Sequence, residues 1–340
     1  MVFKHRVLVA LFCVFMRTNS ESVWKHASVY NIPGDPPYTV PEAQLSAAID
    51  CTSGNTNPKI ALIVPGTGAQ TEQVYGPNLG LLLPANGYPV CYLNTPHNSL
   101  IDAQIISEYV AYAINSLASS TGNPIRVVTH SQGGLNTQWA LTFWPSTRAN
   151  VFSFVAIAPD YRGTIMADGA RINLAAGVPQ NAAVVQQSYG SNFVTALAAH
   201  DGLTAHVPTT DIYTLTDDVV QPEILLNATS ALSGSNATNV AVQSVCPTVN
   251  PDHITIIITG VTEYLLLMAF GAANGRADSS SIPLTDRIQL CLDILPHFNS
   301  VSGAVSIGFE MLRVVFTSYI IVPDPQSAVT TEPPLMPYAQ

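Results

Sequence analysis

The sequence predicts an α/β fold, a mostly parallel central sheet with helices on both faces. Three observations carry that prediction. Short, almost wholly apolar runs stop abruptly at turn residues, a segment of helical periodicity separates them, and polar residues able to do chemistry fall where the runs end. Strands buried on both faces of a parallel sheet read as continuous apolar runs rather than as alternation. Strand and helix in alternation imply right-handed crossovers, and in such sheets reactive groups gather at the carboxyl ends of the strands.

Taken in order, the first run is Lys59-Ile-Ala-Leu-Ile-Val64, stopped by Pro65-Gly66, and the second is Pro89-Val-Cys-Tyr-Leu93. A helix is expected next. Ser99 followed by Asp102 has the form of a capping box, and Ile106, Val110, Ile114 and Leu117 then recur at helical spacing. A third strand over 124–128 runs into Thr129-His-Ser-Gln-Gly133, and further strands are expected over 152–157 and 211–215, each ending near a carboxylate. The apolar stretches 254–273 and 301–322 resemble membrane spans in length. The first carries Glu263 and the second Glu310 and Arg313, charges that are costly in hydrocarbon, so buried or amphipathic helices are expected and no transmembrane anchor. With no repeat and no long linker, residues 21–340 read as a single domain.

Apolar residues make up 47% of the 340 residues and charged residues only 10%, against about 25% charged in an ordinary soluble domain. Such a chain leaves apolar surface to spare, which suits a greasy substrate. A net charge of −10 without any basic run excludes nucleic acid as a partner. Lys4 and Arg6 precede an apolar stretch over 7–16 that is too short to span a bilayer, and a polar exit ends at Ser20. Residues 1–20 therefore read as a signal peptide, and the protein as secreted and extracellular. Beyond Cys13 in that leader stand Cys51, Cys91, Cys246 and Cys291, an even set suited to an oxidising compartment. Four cysteines permit three pairings. The local one closes two loops of about 40 residues, each worth about 4 kcal/mol in the chain-entropy model. No C-x-x-C or H-x-x-x-H spacing points to a metal. Asn227 and Asn236 head N-glycosylation sequons.

The strongest chemical signal is Arg126-Val-Val-Thr-His-Ser-Gln-Gly-Gly-Leu135, a variant of the G-x-S-x-G elbow with Thr129 in the first glycine position and Gly133 intact. An elbow holds a nucleophilic serine in strained backbone between strand and helix, so this position points to an α/β-hydrolase fold with Ser131 as nucleophile. Serine needs a base that is itself oriented by a carboxylate, and in this fold the chain order is serine, acid, histidine. His253 and His297 both qualify by order. His253, in the turn-prone Asn250-Pro-Asp-His253, is preferred to His297 in its apolar helical context. A strand running to Asp217-Asp218 supplies the acid. Asp217 is preferred for its place where the loop leaves the strand, and Asp218 is expected in solvent. The turn Val64-Pro-Gly-Thr-Gly68 lies where an oxyanion hole is normally built, from the Thr67 and Gln132 N–H groups and the Thr67 hydroxyl. It lacks the lysine and spacing of a P-loop.

These residues resemble the family of Candida antarctica lipase B and its fungal relatives. The resemblance runs from about residue 51 to 291, with an echo at 332–339. It rests on Leu62-Ile-Val-Pro-Gly-Thr-Gly68, Thr129-His-Ser-Gln-Gly-Gly134, Leu141-Thr-Phe-Trp-Pro145, Ala158-Pro-Asp-Tyr-Arg-Gly-Thr164, Val207-Pro-Thr-Thr210, Thr216-Asp-Asp-Val-Val-Gln-Pro222 and Asp252-His253. The family's elbow also begins with threonine. The resemblance implies a Ser131, Asp217, His253 triad with Thr67 and Gln132 as oxyanion donors. It further implies Asp160 and Gln187 on the acyl side, His130 beside the alcohol pocket, and disulfides Cys51–Cys91 and Cys246–Cys291. Three departures stand out: His130 replaces the family's Trp, Thr331 replaces a Cys of a third disulfide, and 163–180 differs from the family's short mobile helix. The first implies a roomier or more polar alcohol pocket, and the second a less firmly held tail.

The function expected is a secreted serine lipase or carboxylic ester hydrolase. It would cleave acylglycerols and related esters through an acyl-enzyme, without cofactor or metal, as a monomer acting on lipid at an oil–water interface. A cutinase-like, polyester or short-chain esterase keeps the chemistry and changes the substrate. A catalytically silent secreted binding protein keeps only the fold.

Overall fold

Unbroken apolar runs require a sheet covered on both sides, and seven strands meet that requirement. The computed structural model describes residues 29–54, 56–224, 228–292 and 325–340. The expected leader over 1–20, the Asn227 sequon, His297 and the stretch 301–322 lie outside the described residues. In chain order the strands are β1 (Ile49–Cys51), β2 (Ala61–Val64), β3 (Val90–Leu93), β4 (Ile125–His130), β5 (Val151–Ile157), β6 (Gln180–Asn181), β7 (Thr209–Tyr213), β8 (Ala237–Ala241) and β9 (Ala328–Val329). The large sheet has the order β1-β3-β2-β4-β5-β7-β8. Its pairs are parallel except β1 on β3, while β6 and β9 form a separate antiparallel pair. The fold is that of an α/β-hydrolase.

Side chains alternate across each strand and divide the core in two. Leu62, Val64, Val127, Phe154 and Ala156 face one layer, where the helices Ala103–Thr121 and Gln132–Phe143 bring Val110, Ile114, Leu135 and Trp139. Ala61, Ile63, Val128, Val155 and Ile157 face the other, where helix Gly260–Gly271 brings Val261, Leu265 and Phe270. β4 lies between β2 and β5, in register Val64 with Thr129 and His130 with Ile157. The end of β4 thus opens between two neighbouring strand ends.

Several expectations shift. The cap of helix Ala103–Thr121 is Asp102, whose carboxylate accepts from the Gln104 N–H at 2.9 Å. Ser99 instead shares a 2.7 Å hydrogen bond with Thr95 and lies in the left-handed region, φ 63°, so the expected capping box does not form. The strand placed at 211–215 runs Thr209–Tyr213, and Leu215 is exposed on the loop beyond it. The stretch 254–273 divides into a 3₁₀ turn, Thr255–Ile258, and helix Gly260–Gly271, in which Glu263 is buried and accepts from Asn78 Nδ2 at 3.2 Å. Among the described residues no helix is long and apolar enough to cross a membrane. Asn236 is half-buried, and its side chain donates to the Ala205 carbonyl at 3.3 Å.

The cysteines pair locally, Cys51 with Cys91 and Cys246 with Cys291. No third disulfide holds the tail, yet the tail is docked. Gln104, fully buried, donates from Nε2 to the Pro334 carbonyl at 3.1 Å and accepts from the Met336 N–H at 2.7 Å. Glu332 accepts from the Phe193 N–H at 3.0 Å, and the Tyr338 ring packs edge-on to Trp144. Removing one side of a buried hydrogen bond costs about 1–3 kcal/mol. Gln104→Ala is therefore expected to lower the unfolding free energy by that order and to make residues 325–340 protease-sensitive. An unchanged cleavage pattern in limited proteolysis would show that the tail is held elsewhere.

Candidate active site

Ser131 stands between β4 and helix Gln132–Phe143 at φ 56°, ψ −133°. A non-glycine residue pays for that conformation, and only close surrounding packing keeps it there. The packing is visible in what neighbouring glycines avoid. A Cβ on Gly133 would stand 2.6 Å from the Val64 carbonyl oxygen, and one on Gly134 would stand 2.5 Å from Pro159 Cβ and 3.4 Å from Thr129 Oγ1. The missing side chain at Gly134 makes room for Pro159. The Ser131 N–H donates to the Ile157 carbonyl at 2.9 Å, which fixes the serine to β5.

Asp217 lies beyond the end of β7, and its two carboxylate oxygens have different duties. Oδ1 accepts from the N–H groups of Val219 at 2.9 Å and Val220 at 2.7 Å. Oδ2 meets His253 Nδ1 at 2.9 Å. Burial pushes Asp217 up, but the His253 charge, the imidazole hydrogen bond and the two N–H groups outweigh it, so its pKa is held below 3.8. The same pairing, with lesser help from Asp160 and Asp218, outweighs the burial of His253 and raises its pKa above 6.5. Asp218 is exposed as expected, but it also accepts from the His253 N–H at 3.1 Å. The loop carrying His253 is tied down by Thr214 and Thr216, whose hydroxyls donate to the Pro251 carbonyl at 3.0 and 2.8 Å. No hydrogen bond joins the Ser131 hydroxyl to the imidazole in this structure. His130, the residue before Ser131, has its ring 4.8 Å from that of His253.

The turn after β2 comes up to the serine, since a Cβ on Gly66 would stand 3.0 Å from Ser131 Cβ. Thr67 follows, its hydroxyl 2.7 Å from Gln132 Oε1 and 3.1 Å from Gln187 Oε1. Gly68 is held by its N–H to the Asn98 carbonyl at 2.7 Å. Thr67, Gln132 and Gln187 thus form one buried polar cluster beside Ser131. Asp160 is fully buried, and no other residue donates to either of its carboxylate oxygens. Burial accordingly pushes it up to about 7, although its own backbone N–H and the His253 charge pull the other way.

His130, expected at the alcohol pocket, is buried. Its Nδ1 is 3.2 Å from the Tyr75 hydroxyl and its Nε2 is 2.9 Å from the His253 carbonyl. Burial and the neighbouring His253 drive its pKa down to about 3, so it is neutral. Both ring nitrogens are engaged within the protein, so His130 does not offer them to an open pocket. Ile165, Met166, Ile172 and Val178 are exposed along 163–180, where a 3₁₀ turn, Ile165–Ala167, leads into helix Asp168–Ala175. Among the described residues no cluster of His, Cys, Asp and Glu could hold a metal ion.

The site residues drawn from sequence therefore come together around the end of β4. Sequence reasoning missed Tyr75, the Thr214 and Thr216 tether, and the bond from the His253 N–H to Asp218. Tyr75 and Thr214 lie in no motif, and although Thr216 and Asp218 do, nothing in that motif shows which backbone groups they bind. No family model matches the chain. Lipase B of Pseudozyma (Candida) antarctica is 35% identical over 310 residues, covering 90% of this chain and 87% of that protein. The crystal structure of Aspergillus fumigatus lipase B superposes with a TM-score of 0.82 at 32% identity, covering 93% of this chain and 76% of that one.

The raised pKa of Asp160 has a consequence for stability. An acid whose folded pKa exceeds its unfolded value binds its proton more tightly when folded. Its stabilisation is complete below 3.8 and is lost as pH rises towards about 7. Asp211, pushed by burial to about 7, and Glu223, pushed to about 9, act in the same sense. Asp160→Asn is expected to flatten part of the decline in unfolding free energy between about pH 4 and 8. Denaturant titrations across that range measure it, and an identical decline in the variant would show Asp160 ionised throughout.

Proposed function

The chain belongs to the lipase B family of α/β-hydrolases and is a carboxylic ester hydrolase, and from that premise we propose that it cleaves acylglycerols and related esters through an acyl-enzyme on Ser131. The Ser131 Oγ attacks the ester carbonyl carbon while His253 Nε2 takes its proton. The carbonyl electron pair moves to oxygen, and that oxyanion lies against the N–H groups of Thr67 and Gln132 and the Thr67 hydroxyl, where one donor is worth about 10²–10³ in rate. Collapse of the tetrahedral intermediate expels the alcohol, protonated by His253. Water then repeats the sequence on the acyl-enzyme, and the serine is regenerated.

The observation that carries the reading is the Asp217–His253 pair at 2.9 Å. A carboxylate whose other oxygen is already saturated by two N–H groups cannot turn away, so it fixes Nδ1 as the protonated nitrogen and leaves Nε2 as the base. The Thr67 hydroxyl must become free for the oxyanion. Rotating the Gln132 amide by half a turn sets its NH₂ against Thr67 Oγ1. That pairs a buried Nε2 otherwise without a partner and leaves the hydroxyl hydrogen only the longer bond to Gln187 Oε1, at 3.1 Å, to give up to the oxyanion. Asp160, neutral at low pH, and Gln187 line the acyl side. The exposed apolar residues of 163–180 suit contact with an oil–water interface. The expected leader over 1–20 and the two disulfides support a secreted, extracellular enzyme.

A fluorophosphonate is expected to label the wild type and not Ser131→Ala, with ester turnover down about 10⁶-fold in the variant. A well-folded wild type that takes no label would overturn the reading. Rates on triglyceride emulsion, short soluble ester and polyester film then rank the substrates, with the emulsion expected first. The base must be neutral, so kcat/KM is expected to fall as pH drops through the raised His253 pKa. Asp217→Asn is expected to move that acid limb to lower pH and cut the rate by about 10⁴-fold. An acid limb that stays in place would mean another group controls it.

A further inference from the structure

We propose that Tyr75 and His130 form a positioning brace that locks the oxyanion turn and the backbone of the catalytic base to the nucleophile strand. The proposal rests on the reading of His253 as the base. Four groups form a chain whose direction the chemistry dictates. The His253 carbonyl can only accept, so the hydrogen of the His130 imidazole sits on Nε2, 2.9 Å away. Nδ1 is then a bare acceptor, and the Tyr75 hydroxyl, 3.2 Å away, donates to it. The Tyr75 oxygen in turn accepts from the Gly66 N–H at 3.1 Å. Each donor and each acceptor along the line is used once, and none of the links reaches solvent, since Tyr75, His130 and His253 are all buried.

The brace joins the three segments whose relative placement decides the reaction. Gly66 immediately precedes Thr67, His130 immediately precedes Ser131, and the third anchor is the carbonyl of His253 itself. Holding the base by its backbone fixes the pivot about which Asp217 orients the imidazole. The ring geometry agrees: His130 lies 4.8 Å from His253 with planes 34° apart, and Tyr75 meets His130 edge-on at 6.0 Å. The titratable and charged groups bearing on His130 are Tyr75, His253 and Asp217. A second proton on His130 would put an N–H against the Tyr75 donor and a like charge beside His253 at the moment that residue takes up its proton. A neutral ring avoids both. Phenylalanine at either position would fill the space and break the line.

The test uses Tyr75→Phe, His130→Phe, the double variant and His130→Gln in the full-length protein. kcat and KM are measured on a soluble p-nitrophenyl butyrate at a temperature where thermal unfolding shows each variant folded. Misplacement by about 1 Å costs up to about 10²-fold, so each Phe variant is expected to lose about 10- to 100-fold in kcat with KM within about twofold. Because the line acts as one unit, the double variant is expected to be no slower than the worse single one. His130→Gln, whose amide nitrogen can still donate to the His253 carbonyl, is expected to recover part of the loss. Unchanged kcat in both Phe variants, or losses that multiply in the double variant, would overturn the brace. If His130→Phe does not fold, Tyr75→Phe against His130→Gln decides alone, since it deletes only a hydroxyl. Labelling of the wild type by the fluorophosphonate separates this outcome from a failure of the triad assignment.

Discussion

The bend at Ser131 is the constraint on which the rest of the site depends. A residue with a side chain is held at φ 56°, ψ −133°, and every neighbouring element has given way to make that conformation tolerable. The turn after β2 passes so close that Gly133 can bear no side chain. The loop after β5 presses Pro159 onto Gly134, and β5 holds the serine by its N–H. These contacts do more than relieve strain. The strand end that crowds Gly133 is the one that delivers Thr67, and the segment that crowds Gly134 is the one that delivers Asp160. Tight packing at the elbow and convergence of the polar residues are one geometric fact.

Charge follows the same logic of supplied partners. Asp217, Asp160, Asp211 and Glu223 are all buried carboxyls, and burial drives each of them towards the neutral form. Only Asp217 receives enough to reverse it: two backbone N–H groups and an imidazole that becomes a cation. Glu223 finds a partner only in Ser230, through its hydroxyl and its backbone N–H, and Oε2 has none. Identical residue types are thus shifted in opposite directions, Asp217 down and Asp160 and Asp211 up, according to the partners the fold turns towards them. In the proposed mechanism the orienting acid is a carboxylate that the fold has paired in advance. The loop from 217 to 220 does this with two N–H groups that need no particular side chain.

That distinction explains what was legible in the sequence. The elbow, the oxyanion turn, the buried strands and the order of serine, acid and histidine are written in residue type and spacing, because each needs a small residue, an apolar run or a particular functional group. Strand β1 is an exposed Asp50 between two half-buried residues, and β8 is mostly half-buried. Both edge strands carry too little apolar signal to be seen. The Ser99 capping box failed because the motif is local, whereas Ser99 was claimed by Thr95 four residues earlier and Asp102 took the cap. Tyr75 had no motif at all. Its position on a five-residue helix acquires meaning only when β4 and the His253 loop are brought to it. Asp218 was correctly placed in solvent, yet its bond to the His253 backbone is visible only in three dimensions.

The departures at 130 and 331 show how such a site tolerates change. The tail does without a third disulfide by using Gln104, Glu332 and the aromatic contacts of Tyr338. Hydrogen bonds worth about 1 kcal/mol each thereby stand in for a covalent link worth about 2–4 kcal/mol, and the tail's attachment no longer depends on redox state. At position 130 a large indole in the relatives gives way to an imidazole, which has less volume to fill a pocket but two nitrogens to form directed bonds. The side chain before the nucleophile therefore turns from shaping the space that receives the alcohol to fixing the groups that act on it. Selectivity for the alcohol must then rest on other parts of the pocket wall, whereas the alignment of turn, serine and base is secured by hydrogen bonds from within.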